Sequence, residues 1–440
     1  MLGMPGPGSR LPDGALTLRF MGSALVALVA FQALLVFWAP EVTRHFLMPR
    51  TVTLVHLAAL GWITTVMMGA LYQLAPVIFQ TRLAWPRLAR AQFWIHLVGV
   101  AGLVWSFGRG LWTPGLAGFG ALVVGSVILF AAHMGVTLRR RTVWNNTGWF
   151  VAHALAFLAL TVGMGLAFAL DLRYGWWPLT PRLLATHAHL GLVGWFTYLL
   201  MGVSYRLIPM FTVVHGHGEG FSRWVMRLLN VGMLGVLLVF PHTAAGRVWV
   251  LATAGLLAAG SALYAVDIAR LYRRRTRRAL DVTQHHMLAA VGALLLATGL
   301  GLRIAAGFDG DGGALSRWTL AYGYTILAGW LSLAIMGHYY KIIPFLVWQR
   351  RYRPQAGRGP APLFRDLYDE RLARAAFWTY LAGFLVTATG LWLGAAAAVQ
   401  AGAAVGLVGV GGFALTASQP FWRTPPVRRE VAPPVVREGV

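Results

Sequence analysis

The 440-residue chain contains no cysteine, and charged residues make up only 11% of it. Without cysteine the protein has no disulfide, thiolate ligand or thiol nucleophile, so any metal chemistry must use His, Met, Tyr or carboxylate groups. The sequence also lacks a glycine-rich nucleotide loop, a Ser-His-Asp set, paired intramembrane carboxylates and a zinc signature.

Apolar residues dominate the chain, at 58% of the total and a mean hydropathy of +0.64. A soluble protein of this length cannot cover so much apolar surface, so the composition predicts an all-α polytopic membrane protein. Twelve apolar runs are long enough to cross about 30 Å of hydrocarbon. They lie near residues 15–38, 52–79, 91–107, 114–138, 148–170, 183–212, 223–240, 247–270, 284–306, 318–347, 373–397 and 400–418.

The membrane domain is therefore predicted to cover residues 15–420. Residues 1–14 are rich in Pro and Gly, and the run that follows has no small-residue cleavage site, so we interpret it as the first span and not as a removed signal peptide. Residues 421–440 contain two Pro-Pro pairs and are interpreted as a disordered extension.

Positive charge, which reaches a formal net +24, is concentrated in alternate loops. Arg clusters occur in the loops 80–90, 139–147, 271–283 and 348–372. Such placement beside membrane spans follows the positive-inside rule and suits anionic lipid headgroups, so we do not expect nucleic-acid binding. The pattern predicts a multi-pass protein of a bacterial-type inner membrane, with the N-terminal segment and the tail both in the cytoplasm.

One motif occurs three times in the chain. Its first copy consists of His56, Gly61, Trp62, Met68, Gly69, Tyr72 and Pro76. Adding 133 to these numbers gives a second copy that begins at His189, and adding 268 gives a third that begins at Tyr324. The other six positions are identical in all copies. The repeat predicts three four-helix units, near 15–138, 148–270 and 284–418, with pseudo-threefold symmetry.

The first motif position carries the most chemistry. His56 and His189 are expected at equal depth on the second and sixth spans. An intramembrane histidine is costly and marks a functional site by default. Two neutral imidazoles that face each other can serve as axial ligands of a haem iron. The alternative is that each His simply hydrogen-bonds to a neighbouring helix, as Tyr324 would in the third copy.

A second histidine, His187, lies two residues before His189. Residues i and i+2 of a helix point about 200° apart, so the two rings cannot bind one metal from the same side. They can instead face two different partners. The alternative is that one ring faces the interior and the other the lipid headgroups.

Two arginines precede these histidines at the starts of their spans. Arg50 and Arg182 lie about 9–10 Å along the helix axis from His56 and His189. Their guanidinium groups could reach haem propionates, or they could anchor the helix ends at the interface. Asp267, the one acidic residue well inside a span, is expected to pair with Arg270 or Arg273.

The recurrent Gly-Trp and Met-Gly pairs are expected to serve helix packing, because small residues allow close approach and tryptophan fills the space between units. A haem-edge contact of Trp62 or Trp195 is the alternative.

The stretch from Arg50 through His56 to Met68-Gly69, Tyr72 and Pro76 resembles the second helix of the catalytic subunit of nitric oxide reductases and C-type haem–copper oxidases. In that family an outer-third His on this helix ligates the low-spin haem. Twelve spans with cytoplasmic termini are also similar to the layout of that subunit, over about residues 15–420. The resemblance implies haem b at His56. A more distant similarity is to nitric-oxide-response membrane haem proteins.

The chain departs from that family at the binuclear site. The family carries His-x-His on the tenth helix, where this sequence has Tyr322 and Tyr324. In this sequence the His-x-His stands instead on the sixth span. The seventh span has no His. We therefore do not expect copper in the family's standard position or oxygen reduction by the family's mechanism. Repeat symmetry would move the haem to a site between the second and sixth spans.

Three functional hypotheses follow. The first is a membrane haem protein, leaning towards oxidoreductases, in which His56 and either His189 or His187 hold haem b for electron transfer or nitric oxide and oxygen chemistry, with an electron-donor protein or partner subunit. A second haem on the remaining His of the sixth span is possible. The second hypothesis is a transporter or a protein of haem or metal trafficking. The third is a cofactor-free structural subunit.

Overall fold

The computed structural model describes residues 14–110, 115–176, 179–214, 216–242, 246–276, 279–307, 312–355 and 362–424. Within these ranges the regular structure is helical and contains no strand. Most of the predicted N-terminal segment (residues 1–13) and most of the predicted tail (residues 425–440) lie outside the described residues.

In the described part of the chain, twelve helices are long and apolar enough to cross a membrane, which confirms the predicted number. They are α1 Gly14–Val42, α2 Pro49–Ile78, α3 Pro86–Arg109, α4 Gly115–Arg139, α5 Asn146–Tyr174, α6 Pro181–Thr212, α7 Gly220–Leu238, α8 Arg247–Arg273, α9 Val282–Ala306, α10 Gly312–Arg351, α11 Glu370–Leu393 and α12 Ala396–Trp422. Because the number of crossings is even, α1 begins and α12 ends at the same face, here named the terminal face. The opposite face is named the far face.

Local chemistry explains where several helices begin and end. Pro49 and Pro181 occupy the first turn of α2 and α6, where the missing N–H would have no helical partner anyway. Asp281 caps α9 with a full capping box, and Asp369 caps α11 through its carboxylate. Gly394 ends α11 in the left-handed conformation with φ of 72°, which glycine adopts without strain.

The three motif helices form the centre of the bundle. In the most apolar windows of α2, α6 and α10, 72%, 56% and 89% of the residues are buried, against 28–50% in the other nine described helices. The recurring residues therefore face protein and not lipid.

A closed ring of hydrogen bonds joins the three motif copies. The indole N–H of Trp62 donates to Ser332, 3.0 Å away on α10. In the same way Trp195 donates to Thr64 at 3.2 Å, and Trp330 donates to Thr197 at 3.1 Å. All three tryptophans are at most 1% exposed. This tryptophan ring gives the three motifs equivalent mutual contacts, whereas the grouping of the other nine helices into repeats stays a prediction.

Each motif helix changes its winding just after the first motif position. The π-helical segments Leu57–Thr64, Leu190–Thr197 and Thr325–Ser332 interrupt α2, α6 and α10. π-Helical turns are rare and occur frequently at functional sites. Here they immediately follow His56, His189 and Tyr324 and end at the hydroxyl residues of the tryptophan ring.

The motif glycines are points of close helix contact, as the sequence predicted. A Cβ atom on Gly69 would lie 2.4 Å from Phe20 of α1, and one on Gly202 would lie 2.3 Å from Phe150 of α5. Neither neighbour is a flexible chain end, so a larger residue would push α1 or α5 away from its motif helix.

Candidate functional site

A cavity of about 510 Å³ occupies the far half of the bundle. Thr64, Trp195 and Thr197 of the tryptophan ring line it, so the ring closes it towards the terminal face. Its walls are mainly apolar side chains from the surrounding helices. The polar groups relevant to the predictions are on His56, Arg182, His187, His189, Tyr322 and Tyr324.

His56 presents one free ring nitrogen to this cavity. Its Nδ1 lies 2.8 Å from the backbone carbonyl of Val52, one turn earlier. Because a carbonyl can only accept a hydrogen bond, Nδ1 carries the proton and Nε2 keeps its lone pair. The ring packs against Phe107 of α3, with centroids 4.5 Å apart. The hydrogen bond to Val52 thus fixes the tautomer of His56, and this bond and the packing on Phe107 fix the orientation of its ring.

His187 of α6 faces His56 across the cavity. The ring centroids are 6.5 Å apart and the planes differ by 23°. The Nδ1 atom of His187 is buried without an ordinary hydrogen bond to any described residue, and the backbone of Thr161 on α5 is a group that this ring approaches. A Cβ atom on Gly165 would lie 3.1 Å from the ring, so this glycine leaves the space that His187 occupies.

His189 faces a different partner. Its Nδ1 donates to the carbonyl of Ala185 at 2.8 Å, so Nε2 accepts the hydroxyl proton of Tyr322 at 3.2 Å. The two rings are 5.9 Å apart and nearly parallel, at 25°. Of the two alternatives for the His-x-His pair, the structure shows the one in which the rings face separate partners, and of the two candidate partners of His56 it places His187 opposite that ring.

The two pairs obey one rule. In each, the first motif residue of one copy faces the residue two positions before the first motif residue of the next copy: His56 meets His187, and His189 meets Tyr322. By the same count Tyr324 corresponds to Leu54, which offers no ligand atom. Tyr324 stacks on Phe384 of α11, with centroids 5.8 Å apart.

The two predicted arginines differ in position. Arg50 pairs with Glu41 of α1 at 2.5 Å, and its guanidinium lies 5.3 Å from the centre of the Trp38 ring. Arg182 lines the cavity and donates to the backbone carbonyl of His242 at 2.7 Å. Arg182 is thus at the cavity wall, whereas Arg50 is held at the helix end by α1.

The prediction that Asp267 pairs with Arg270 or Arg273 was wrong. Its carboxylate lies 3.4 Å from Nε2 of His217, a residue of the segment after α6. The guanidinium of Arg270 instead lies over the ring of Phe221, at 4.1 Å. The neighbour of Asp267 in space is 50 residues away in the sequence, so local spacing did not reveal it.

Three residues beside the facing histidines were not predicted. Phe107 recurs 133 residues later as Phe240, and each packs against the histidine of its motif copy, so the repeat did carry a signal for it. Thr161 and Gly165, beside His187, have no counterpart at that spacing. The hydroxyls of the tryptophan ring did carry a signal, because Thr64, Thr197 and Ser332 each stand two residues after a motif tryptophan.

Among the described residues, no group of three or more His, Cys, Asp or Glu side chains could hold a metal ion. Among the described residues the facing histidines are therefore a pair and not part of a larger cluster of such side chains. No protein-family model matches the chain, and no curated protein matches it significantly.

Proposed function

We propose that the protein is a membrane haem protein that holds one b-type haem between His56 and His187 and serves electron transfer or diatomic-gas chemistry. The facing pair of imidazoles carries this proposal. Two imidazoles bound to opposite sides of one metal, through bonds of about 2 Å, have ring centres about 6 Å apart. The centroids of His56 and His187 are 6.5 Å apart, with nearly parallel planes.

The hydrogen bonds behind the rings support the same assignment. Metal-bound histidines commonly donate their second N–H to a backbone carbonyl, which fixes the tautomer and raises the basicity of the ligand nitrogen. His56 does so to Val52, and the backbone of Thr161 lies beside the ring of His187. The cavity volume of about 510 Å³ also falls within the roughly 300–1,000 Å³ of ordinary cofactor and ligand sites.

The side chains around the pair have separate tasks under this proposal. His56 and His187 would hold the haem iron, which would supply one-electron or diatomic-gas chemistry. The apolar walls exclude water, and Arg182 at the cavity wall can pair with a propionate. Arg182 lines the cavity and Arg50 does not, so Arg182 is the stronger candidate for the propionate contact.

The distribution of arginine supports a cytoplasmic terminal face in an inner membrane. The haem would then lie towards the outer side, where an electron-donor protein or partner subunit could reach the far face. The resemblance of α2 to nitric oxide reductases and C-type haem–copper oxidases agrees with this arrangement.

The tryptophan ring weighs against the transporter hypothesis. It stands between the far cavity and a second cavity of about 60 Å³, which Val66, Leu199 and His338 help to line. A cargo that moved along the bundle axis would have to break indole–hydroxyl bonds between fully buried side chains. A resident cofactor needs no such path.

The test is the optical spectrum of the detergent-purified protein, oxidised and dithionite-reduced, with a pyridine haemochrome assay. We expect one b-type haem per chain in the wild type and in His189→Ala, and its loss in His56→Ala and in His187→Ala. His189→Ala is the matched control, because it removes an imidazole from the same helix and the same cavity. A colourless protein from haem-replete cells, or haem retained in both ligand variants, would contradict the proposal.

A further inference from the structure

A second polar site lies in the terminal half of the bundle, away from the facing histidines. Asp267 of α8 is 1% exposed, and both of its carboxylate oxygens lack a hydrogen bond to any described residue. Its distance of 3.4 Å to Nε2 of His217 exceeds the usual 2.7–3.2 Å of an N–H···O bond. The hydroxyl of Tyr205 is also buried without a described partner.

Helix packing alone does not require a carboxylate at position 267. In each motif copy the tyrosine interacts with a polar residue of the last helix of the predicted unit. Tyr72 meets the ring of His133 at 5.1 Å, and Tyr340 bonds to the hydroxyl of Thr416 at 2.8 Å. In the second copy this contact is made by Tyr264 of α8, whose ring centroid lies 5.6 Å from that of Tyr205, and Asp267 of the same helix adds an electrostatic interaction. The contact is thus made without a carboxylate in all three copies, so it does not account for the acidic group.

Asp267 is a buried carboxylate that has positive charge nearby. Burial disfavours an ionised carboxylate, and an intramembrane acidic residue commonly belongs to a proton relay. Arg270 of α8 and Arg274, the residue after α8, place positive charge near the carboxylate. The remaining titratable neighbours are His217 from the segment after α6, Tyr205 from α6 and Tyr264 from α8.

The pair lies between a partly exposed imidazole and buried hydroxyl groups. The side chain of His217 is 15% exposed, with its Nε2 atom buried, whereas that of Asp267 is 1% exposed, so His217 is the more accessible member of the pair. Towards the bundle centre, the hydroxyls of Tyr264 and Ser204 are 2.8 Å apart, and the Tyr264 ring lies 5.8 Å from Trp330 of the tryptophan ring.

We propose that His217 and Asp267 form a proton-binding site that is loaded from water at the terminal face. In the loaded state one additional proton is held between Nε2 of His217 and the carboxylate, and in the unloaded state that proton has returned to water. No electron moves and no other bond changes. The site does not depend on haem, so it can exist whether or not the proposed function is correct.

The test is pH-difference infrared spectroscopy of the purified full-length protein, with the C=O stretch of a protonated carboxyl as the signal. We expect the wild type to show a band that disappears reversibly as pH rises and shifts in D₂O. Asp267→Asn should remove the band, and Asp171→Asn, which changes another buried carboxylate, should retain it. His217→Gln removes the titratable partner and should shift the midpoint of the band by about one pH unit.

Each outcome decides the proposal. Identical spectra of the wild type and Asp267→Asn from pH 4 to pH 10 would mean that the carboxyl does not exchange a proton, and would overturn it. An unchanged midpoint in His217→Gln would exclude the pair as the site. A band lost in Asp267→Asn together with a colourless protein would support the proton site and contradict only the haem proposal. Gel filtration of each variant checks that it is folded.

Discussion

The two interfaces that α6 makes in the cavity differ in one chemical group. Towards α2, His187 and His56 face each other with centroids 6.5 Å apart, and towards α10, His189 and Tyr322 face each other at 5.9 Å. The ring geometry is similar, since the ring planes of the two pairs differ by 23° and 25°. Yet the tyrosine hydroxyl donates to Nε2 of His189, so the nitrogen that could bind a metal is already engaged. Under the proposed function, the choice between His and Tyr at this position would therefore decide which of the two interfaces can bind an iron.

The largest expected effect comes from giving the His189–Tyr322 interface a second imidazole, as the His56–His187 interface has. Tyr322→His removes the hydroxyl donor and supplies a second imidazole opposite His189. We expect the haem content to rise from one to two per chain by pyridine haemochrome and protein quantification. Tyr322→Phe, which frees His189 without adding a ligand, should remain at one. A folded Tyr322→His protein with a single haem would show that the similar ring geometry is not sufficient for binding.

The hydrogen bonds of the tryptophan ring provide a second way to distinguish the two interfaces of α6. Trp195 joins α6 to α2 beneath the His pair, and Trp330 joins α10 to α6 beneath the His–Tyr pair. Replacing either by Phe leaves a buried hydroxyl without its donor and should cost about 1–3 kcal/mol of stability. Thermal unfolding in detergent measures this cost. The haem spectrum should change in Trp195→Phe and not in Trp330→Phe; equal changes would mean that the ring acts on both interfaces together.

A smaller effect is expected from the arginines at the far face. Arg182→Gln removes a positive charge from the cavity wall and should weaken haem retention about tenfold, since a charge-assisted contact contributes roughly 1.4 kcal/mol or more. The measurement is transfer of haem to a soluble haem-binding scavenger. Arg50→Gln is the matched control, because Arg50 pairs with Glu41. If Arg50→Gln weakened haem retention more than Arg182→Gln, Arg50 and not Arg182 would be the residue that contacts the propionate.

The smallest effect is expected at a helix cap of the terminal face. The N–H groups of Leu372 and Arg371 donate to the Asp369 carboxylate and hold its pKa below the ordinary value, with the bond from Leu372 as the main cause. Asp369→Ala should lower stability by about 1 kcal/mol near neutral pH. Because the folded-state pKa is lowered, the stabilisation is present above the unfolded pKa of about 3.9 and is lost as pH falls through the folded-state value.

Unfolding of wild type and Asp369→Ala at pH 7 and at decreasing pH measures this contribution. The difference between the two should narrow in acid, while the haem spectra of both remain equal. A difference that stays constant down to the acid limit would assign the effect to packing and not to the carboxylate.

Much of the site was predictable where local rules apply. A helix turns about 100° per residue, so two histidines separated by one residue had to face different directions. Hydropathy likewise predicted twelve spans, because the length needed to cross the hydrocarbon is a local property. The partner of Asp267 was not predictable in this way. The segment that carries His217 folds back onto α8, so the nearest arginines in sequence are not the contacts that form.

By itself, the sequence determined the class of protein, the number of helices and the three equivalent motif positions, because hydropathy, helical period and repeat spacing depend on neighbouring residues. Only the tertiary structure decided that His56 faces His187 while His189 faces Tyr322. It also joined Trp62, Trp195 and Trp330 to hydroxyls of other motif copies. These contacts link residues more than 130 positions apart, and their partners are selected by how α2, α6 and α10 pack around one axis.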